Sequence, residues 1–461
     1  MVFLGLVGIP CGSSGGEGTT ESPSASSGGA SAASTSPSGS DGSGGSSGAG
    51  GALEPTGSDT GGSDTGGSGG NGGSGPNQNV GTSGVSLTPR SCDDPDKGLP
   101  AGAPQLEVGK WVDISPPGLA KQDPEQMIGQ GITMDPCDPA TLYWGNTPYD
   151  TAFGGAFKTT NAGGDWVKLG DPDADSDPWD NESTYLLMPL HFEIDPADQS
   201  HVYAGDGVRG NVLGFWESFD GGNTWTKPEA FTQVGEDNGI FVDDVYDIAV
   251  DPTDFDHVLV SFHSAWAWDS EAYGQASGVL ETRDGGDSWI VHPPPETSIG
   301  SGHAVNFLFN PELGLGDSGT WLLGTQSGGQ WRTSDWGEHW TKVSTVNIEH
   351  GGGTTYYTAD GVLYVAGNPG GIRSMDNGVS FEDVHSGSGL CIFGDGETLY
   401  TGAVYGDVGI DTSPENDGLN WTKSEDIAKD GGPYSMVFDE VNRIVYASRW
   451  FQGVWALKLP D

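Results

Sequence analysis

The stretch Gly154–Trp166, GGAFKTTNAGGDW, decides the fold of this 461-residue chain. It joins a Gly-aromatic strand to an eight-residue pattern, [ST]-x-[DN]-x-G-x-x-[WF], whose defined positions are Thr159, Asn161, Gly163 and Trp166. A hydroxyl and a carboxyl or amide group can bond the backbone of a tight hairpin, Gly supplies a positive φ, and the aromatic ring leaves the turn to pack between sheets. The pattern therefore predicts a hairpin with structural polar residues.

This pattern, which we call the Asp-box, occurs five times. The further copies begin at Ser218, Thr282, Thr333 and Ser374, so that successive copies start 41 to 64 residues apart, and a degenerate sixth copy begins at Ser413. We expect a structural role for the residues at the third position, Asn161, Asp220, Asp284, Asp335 and Asp376. A repeat of this length suits a four-stranded blade.

A second repeated feature is a strand of the type h-Y-h-G, which gives the number of blades. It occurs seven times, beginning at Thr141, His201, His257, Thr320, Val362, Thr398 and Ile444. The sequence thus predicts an all-β chain with a single seven-bladed β-propeller. KWVDIS, Lys110–Ser115, has the pattern of a last strand but precedes the first blade, so we expect it to complete the seventh blade and remove the open sheet edges.

The N-terminal fifth of the chain has a different composition. Residues 12–90 are almost wholly Gly, Ser, Thr, Ala, Pro and Asp, which predicts a disordered linker ahead of a propeller at 91–461. Residues 1–11, MVFLGLVGIPC, resemble a lipoprotein signal with Cys11 as the lipidated residue, although a plain apolar terminus is the alternative. We therefore expect an exported protein, either a lipoprotein at the cell surface or in the periplasm, or a secreted chain.

The remaining cysteines fit an oxidising compartment. Cys92 opens the folded region and Cys137 lies in the first repeat, so a disulfide between them would tie the entry of the domain to its first blade. Cys391 lies in a strand and is expected to be a buried, inert thiol.

The charge limits the partners. The chain has 17 Lys plus Arg against 65 Asp plus Glu, a formal net charge of −48. Such a chain repels nucleic acid and anionic headgroups, so we expect membrane association only through the lipid anchor. Polysaccharides, proteins and cations remain possible partners. A closed propeller satisfies its own sheet edges, so a monomer is expected.

The repeats resemble the Asp-box (BNR) propellers of the sortilin-like, photosystem-assembly-factor and xyloglucanase superfamily over about residues 109–461. That resemblance implies the fold, whereas its members have unrelated functions. Xyloglucanases place a catalytic Asp shortly before a Gly-Gly-aromatic strand, and Asp150 is the nearest counterpart, with three residues between it and Gly154 where the family has about one. Their second catalytic Asp lies on a second propeller. Asp-box sialidases have a Phe-Arg-Ile-Pro type motif, which does not occur in this sequence.

The loops opposite the Asp-box turns are the expected functional face, because binding residues usually lie on long loops of a rigid scaffold. We expect a carbohydrate to stack on aromatic residues of these loops, namely Tyr149, Trp266, Trp268 and Trp450, unless these rings fill gaps between loops. Glycoside hydrolysis would need a carboxyl pair, for which Asp150 with Asp269 or Glu271 is the candidate.

Two further groups of polar residues stand out. The segment DPDADSDPWDNE has carboxylates at the spacing of a calcium-binding loop, at Asp171, Asp173, Asp175, Asp177 and Glu182, and is otherwise a solvated acidic loop. No cofactor is required, and calcium is the one possibility. His191 and Asp247 are expected near the propeller axis, as a channel site or as a mutually satisfied pair.

These observations favour a surface-exposed, non-catalytic binding propeller that recognises a polysaccharide or a protein partner through its loop-rich face. A glycoside hydrolase related to the xyloglucanases is the first alternative. A protein-assembly scaffold is the second.

Overall fold

The computed structural model describes residues 98–117, 127–148, 155–169, 189–207, 213–266, 273–348, 353–367, 370–385, 391–403, 409–424, 432–449 and 452–460. In these ranges the strands form seven separate antiparallel sheets, the blades of the β-propeller that the repeats predict. The innermost strand of each blade follows the connection from the preceding blade, and the strands that follow it in that blade lie successively farther out.

The strand β1 (Trp111–Asp113) precedes the first blade. Blade 1 contains β2 (Met127–Asp135), β3 (Asp138–Pro148), β4 (Gly155–Thr159) and β5 (Val167–Lys168). Blade 2 contains β6 (Pro189–Ile194), β7 (Val202–Asp206) and β8 (Gly214–Ser218), followed by α1 (Glu229–Asn238). Blade 3 contains β9 (Val245–Asp251), β10 (Asp254–Phe262), β11 (Val279–Thr282) and β12 (Ile290–His292).

Blade 4 contains β13 (Gly302–Phe307), β14 (Trp321–Thr325), β15 (Gly329–Thr333) and β16 (Thr341–Ser344). Blade 5 contains β17 (Thr355–Tyr357), β18 (Leu363–Val365), β19 (Ile372–Ser374) and β20 (Glu382–Asp383). Blade 6 contains β21 (Cys391–Gly394), β22 (Thr398–Ala403), β23 (Gly409–Pro414) and β24 (Thr422–Ser424). Blade 7 contains β25 (Pro433–Asp439), β26 (Ile444–Arg449) and β27 (Gly453–Lys458).

The N-terminal strand closes the ring, as the sequence predicts. β1 pairs antiparallel with β27 and is the outermost strand of blade 7, with Val112 opposite Ala456. The N–H of Ile114 continues the ladder by donating to the carbonyl of Val454 at 2.9 Å. Because one blade combines both ends of the propeller, β27 has no open edge and the ring cannot open without breaking these bonds.

Blade 2 departs from the four-stranded pattern. Its fourth strand is reduced to a single bridge between Glu217 and Thr226, which exchange backbone hydrogen bonds of 2.9 and 2.8 Å. The chain then enters α1, which the repeat pattern does not predict. Pro228 precedes this helix and Gly239 ends it with a φ of 63°, the arrangement typical of helix ends. In the ranges that the structure describes, no helix is long and apolar enough to cross a membrane.

The hydrophobic core lies between neighbouring blades rather than at one centre. Trp144 and Phe157 of blade 1, for example, pack with Tyr446 and Val454 of blade 7. Each sheet is covered on both faces by its neighbours, so its inner strands are apolar on both faces. β10 shows this as an unbroken run of buried residues from His257 to Phe262.

The five Asp-box turns share one set of hydrogen bonds. In blade 3, Asp284 Oδ1 accepts from the Ser288 N–H and from Thr282 Oγ1, both at 2.8 Å, and Thr282 Oγ1 accepts from the Gly286 N–H at 2.8 Å. The same bonds recur around Asn161, Asp220, Asp335 and Asp376. These side chains are therefore occupied within their own hairpins. The residue after each of them has a positive φ, including Ala162, Trp336 and Asn377.

Candidate functional site

Most of the predicted site residues lie outside the described residues. These are Tyr149, Asp150, Trp268, Asp269, Glu271 and Trp450 of the loop face, the acidic segment containing Asp171, Asp173, Asp175, Asp177 and Glu182, and the cysteines Cys11 and Cys92. The carbohydrate platform, the carboxyl pair and the calcium loop therefore remain predictions.

Trp266 is described, and its predicted role in ligand binding is wrong. The side chain is 1% exposed and packs in the core between blades 2 and 3. Its ring lies 5.7 Å from that of Phe262 and 5.5 Å from that of Tyr273, both edge-on. Burial of so large an apolar surface fixes the loop on the blade, and it leaves no ring face for a sugar.

The described part of the loop-rich face contains a pocket of about 560 Å³ at the seam between blades 3 and 4. Three loops form it: the connections from β10 to β11, from β12 to β13 and from β14 to β15. All three lie opposite the Asp-box turns. The lining is mainly hydroxyl and amide side chains, among them Ser264, Gln275, Ser298, Ser301, Gln326 and Ser327, together with His263.

A short segment before β9 holds one wall of the pocket in place. The N–H of His263 donates to the carbonyl of Asp244 at 2.9 Å, and the N–H of Phe241 donates to the carbonyl of Trp266 at 2.6 Å. The Asp244 carboxylate accepts from His263 Nδ1 at 3.0 Å and from the hydroxyl of Ser264. Residues 241–244 therefore run beside residues 263–266, and one buried carboxylate orients two lining side chains.

Stacked rings support the same wall. Tyr246 and His303 are nearly parallel with centroids 4.4 Å apart, and the rings of His263 and His303 are 5.5 Å apart at 13°. His303 Nδ1 lies 3.1 Å from the carbonyl oxygen of Ile348, so this nitrogen carries the hydrogen. The position of His263 is thus determined by Asp244 on one side and by aromatic packing on the other.

Phe241 is an aromatic residue of this face that is not among the predicted binding residues. Its side chain is 40% exposed, although its backbone is bonded to Trp266 beside the pocket wall. It lies in the connection between blades 2 and 3, whereas the aromatic residues predicted to bind a ligand belong to connections between second and third strands. The signal available in the sequence is a Phe two positions after Gly239, because Gly is the residue that most often ends a helix.

The propeller axis is lined by polar groups that bond between blades. His191 Nδ1 lies 3.2 Å from Asp247 Oδ1, a buried contact that links blades 2 and 3. Side chains near the axis bridge the other interfaces through the pairs Thr133 and Phe192, Asp247 and Val305, Asn306 and Gly353, Thr354 and Ile392, Cys391 and Pro433, and Ser435 and Ile132.

Two of the four cysteines, Cys137 and Cys391, lie in the described residues. Cys137 is disulfide-bonded, and its predicted partner Cys92 lies outside the described residues. Cys391 is a free, buried thiol. Burial raises the pKa of Cys391 to about 12, so this thiol stays protonated in the folded protein.

No protein-family model and no curated protein matches the sequence. Among solved structures, YCF48 bound to D1 peptide is 13% identical with a TM-score of 0.50, and the match covers 78% of this chain and 100% of that one. The extracellular domain of a hybrid two component system of B. thetaiotaomicron is 10% identical, with a TM-score of 0.50 over 76% of this chain and 40% of that one. An ancestral GH74 enzyme is 14% identical, with a TM-score of 0.47 over 74% and 46%. What this chain has in common with the first two is the β-propeller fold.

Proposed function

We propose that this chain is an exported binding propeller that holds a neutral carbohydrate in the pocket between blades 3 and 4. The observation that carries the proposal is the chemistry of the lining, in which hydroxyl and amide side chains predominate. Such groups both donate and accept hydrogen bonds, which matches the hydroxyl groups of a sugar.

Charge favours a neutral ligand over an ionic one. Among the described residues that line the pocket, His263 is the one titratable side chain, and neither a carboxylate nor an ammonium or guanidinium group contributes. An anionic ligand would find no cationic partner there, and the net charge of −48 would repel it. A cationic ligand would find no carboxylate in the lining. A neutral polar ligand needs no charged partner in the lining and is not repelled by the net charge.

Phe241 supplies the aromatic surface that Trp266 cannot. Its partly exposed ring lies on the segment that holds the pocket wall, and sugar rings stack on flat aromatic faces. The predicted platforms Tyr149, Trp268 and Trp450 lie outside the described residues and remain predictions. We therefore propose a polar pocket with an aromatic rim.

The test is a binding screen of the full chain against neutral and anionic polysaccharides, with released sugars measured in the same wells. We expect neutral glycans to bind without hydrolysis. Gln326→Ala removes an exposed amide from the lining and should weaken binding about tenfold, the effect of one or two lost hydrogen bonds.

The matched control is Gln199→Ala, since Gln199 bonds the carbonyl of Pro196 in a turn on the Asp-box face. This variant should bind as tightly as the unmodified chain. Equal losses in both variants would place the ligand away from the pocket. Release of sugars would favour the glycoside hydrolase, and binding of no glycan would favour a protein partner or an assembly role.

A further inference from the structure

Blade 3 contains a buried row of charged side chains at its Asp-box end. Asp251 ends β9, His257 lies in β10 and Glu281 lies in β11, and the three residues are at most 3% exposed. His257 Nδ1 is 3.0 Å from Asp251 Oδ2, and His257 Nε2 is 2.9 Å from Glu281 Oε1. One imidazole therefore bridges carboxylates from the strands on either side of it.

Both carboxylates are ionised, because donors surround them. Asp251 Oδ1 accepts from the N–H and the hydroxyl of Thr253 at 2.8 and 2.7 Å. Glu281 accepts from Arg283 Nε at 2.7 Å and from His292 Nε2 at 2.8 Å. Burial acts against the charge on Glu281, but these bonds prevail and lower its pKa to about 2.

The geometry determines the protonation state of His257. A carboxylate oxygen only accepts hydrogen bonds, so each ring nitrogen facing one must carry a hydrogen. His257 is then an imidazolium ion. Burial opposes this charge, but the hydrogen bonds to Asp251 and Glu281 outweigh it and raise the pKa of His257 above its usual value.

This ion lies at the seam between blades 3 and 4. The ring of Trp336, from the Asp-box turn of blade 4, stacks on His257 at 5.5 Å, and the Arg283 guanidinium lies 4.1 Å from the centre of the same ring. Phe307 of blade 4 approaches His257 edge-on at 4.9 Å. Ser318, also of blade 4, bonds the Asp251 carboxylate.

Blade 2 has the same three residue types but a looser arrangement. His201 Nε2 is 2.8 Å from Glu217 Oε1, whereas His201 Nδ1 is 3.8 Å from Asp195 Oδ2, beyond hydrogen-bonding distance. One bond to a carboxylate does not require a charged ring. The geometric requirement for an imidazolium ion therefore applies to His257 and not to His201.

We propose that protonated His257 is a pH-sensitive lock on the seam between blades 3 and 4. Loss of its proton leaves a ring lone pair facing a buried carboxylate, and that repulsion weakens both the strand bridge and the cationic surface on which Trp336 stacks. The lock goes beyond ligand binding, since it acts on the seam whether or not the pocket is filled.

The direct test is NMR of the full chain labelled with ¹⁵N-histidine, in which the shifts of the ring nitrogens show whether each carries a hydrogen. At neutral pH we expect His257 to have both ring nitrogens protonated, and its signals should disappear in His257→Gln. A neutral tautomer for His257 at neutral pH would overturn the proposal.

The second test is thermal unfolding at increasing pH. The pKa of His257 is raised in the folded state, so its stabilisation is complete below the unfolded value of about 6.5 and is lost as pH rises through the folded value. We expect an alkaline decrease in Tm of about 2–4 °C, absent in His257→Gln and retained in the control His201→Gln. If His257→Gln does not fold, His257→Thr introduces the residue that begins the second strand motif of blades 1, 4 and 6. An alkaline step that survives both His257 substitutions would contradict the lock.

Discussion

His191 of β6 and Asp247 of β9 lie 3.2 Å apart, Nδ1 to Oδ1, and join the innermost strands of blades 2 and 3. Asp247 also accepts from the N–H of Val305 in blade 4 at 3.1 Å, so one carboxylate connects three consecutive blades. A buried carboxylate is costly unless it is paired, and here the pairing also holds the ring together near its axis.

This pair makes the propeller sensitive to acid. Burial lowers the pKa of His191 to about 3, so the folded protein keeps this ring neutral. The unfolded chain takes up the proton at about pH 6.5, and stability is therefore lost as pH falls from there towards the folded value. We expect His191→Gln to lack this part of the acid dependence when urea unfolding is compared at neutral pH and at about pH 5. His339→Gln, at an exposed position, should keep it.

In the Asp-box of blade 3, replacing the Asp284 carboxylate by an amide should preserve stability better than replacing it by a methyl group. Asp284→Ala removes the acceptor of the Ser288 N–H and should lower the free energy of unfolding by about 1–2 kcal/mol. Asp284→Asn retains Oδ1, as Asn161 does in blade 1, and should lose less. Urea denaturation measures both. Ligand binding should be unchanged in both variants, because this turn lies on the face opposite the pocket.

Closure of blade 7 should depend on the N–H of Ile114. Ile114→Pro removes the donor to Val454 and frees the edge of β27, with an expected loss of about 3 kcal/mol and aggregation on heating. Ile114→Val keeps the hydrogen bond and should lose about 1 kcal/mol. Thermal unfolding with light scattering distinguishes the two. Equal losses would mean that the side chain, and not the strand pairing, closes the ring.

Two aromatic residues of the loop face should behave in opposite ways. Trp266→Ala leaves a cavity between blades 2 and 3 and should lower the free energy of unfolding by about 3–5 kcal/mol. Phe241→Ala removes a partly exposed ring and should change stability little but weaken glycan binding. Denaturation and binding are measured on the same preparations. A destabilised Phe241→Ala with intact binding would remove this ring from the proposed site.

Cys391 should be inert in the folded protein. Its pKa of about 12 leaves a thiolate fraction on the order of 1 in 10,000 at about pH 8, and burial also blocks access. We expect no labelling of the Cys391 peptide by iodoacetamide under native conditions and full labelling in urea, as measured by mass spectrometry. Rapid native labelling would show that the inner strand of blade 6 opens.

The features that can be predicted from the sequence alone are local ones. The Asp-box positions, the seven second strands and the closing strand near Trp111 depend on turn chemistry and strand pattern within a few residues, and all of them are found where the sequence predicts. The helix α1 was not predicted, although Pro228 and Gly239 mark its ends, because the repeat pattern predicts strands only.

Only the tertiary structure decided which residues meet across a seam. Nothing local distinguishes Trp266, which turns into the core, from an exposed loop aromatic, because the side chain's direction depends on the space left between two blades. The pocket combines three loops, and His257 meets Glu281, 24 positions away, because neighbouring strands of one blade lie in register. Contacts of this kind depend on register and packing, which no single stretch of sequence contains.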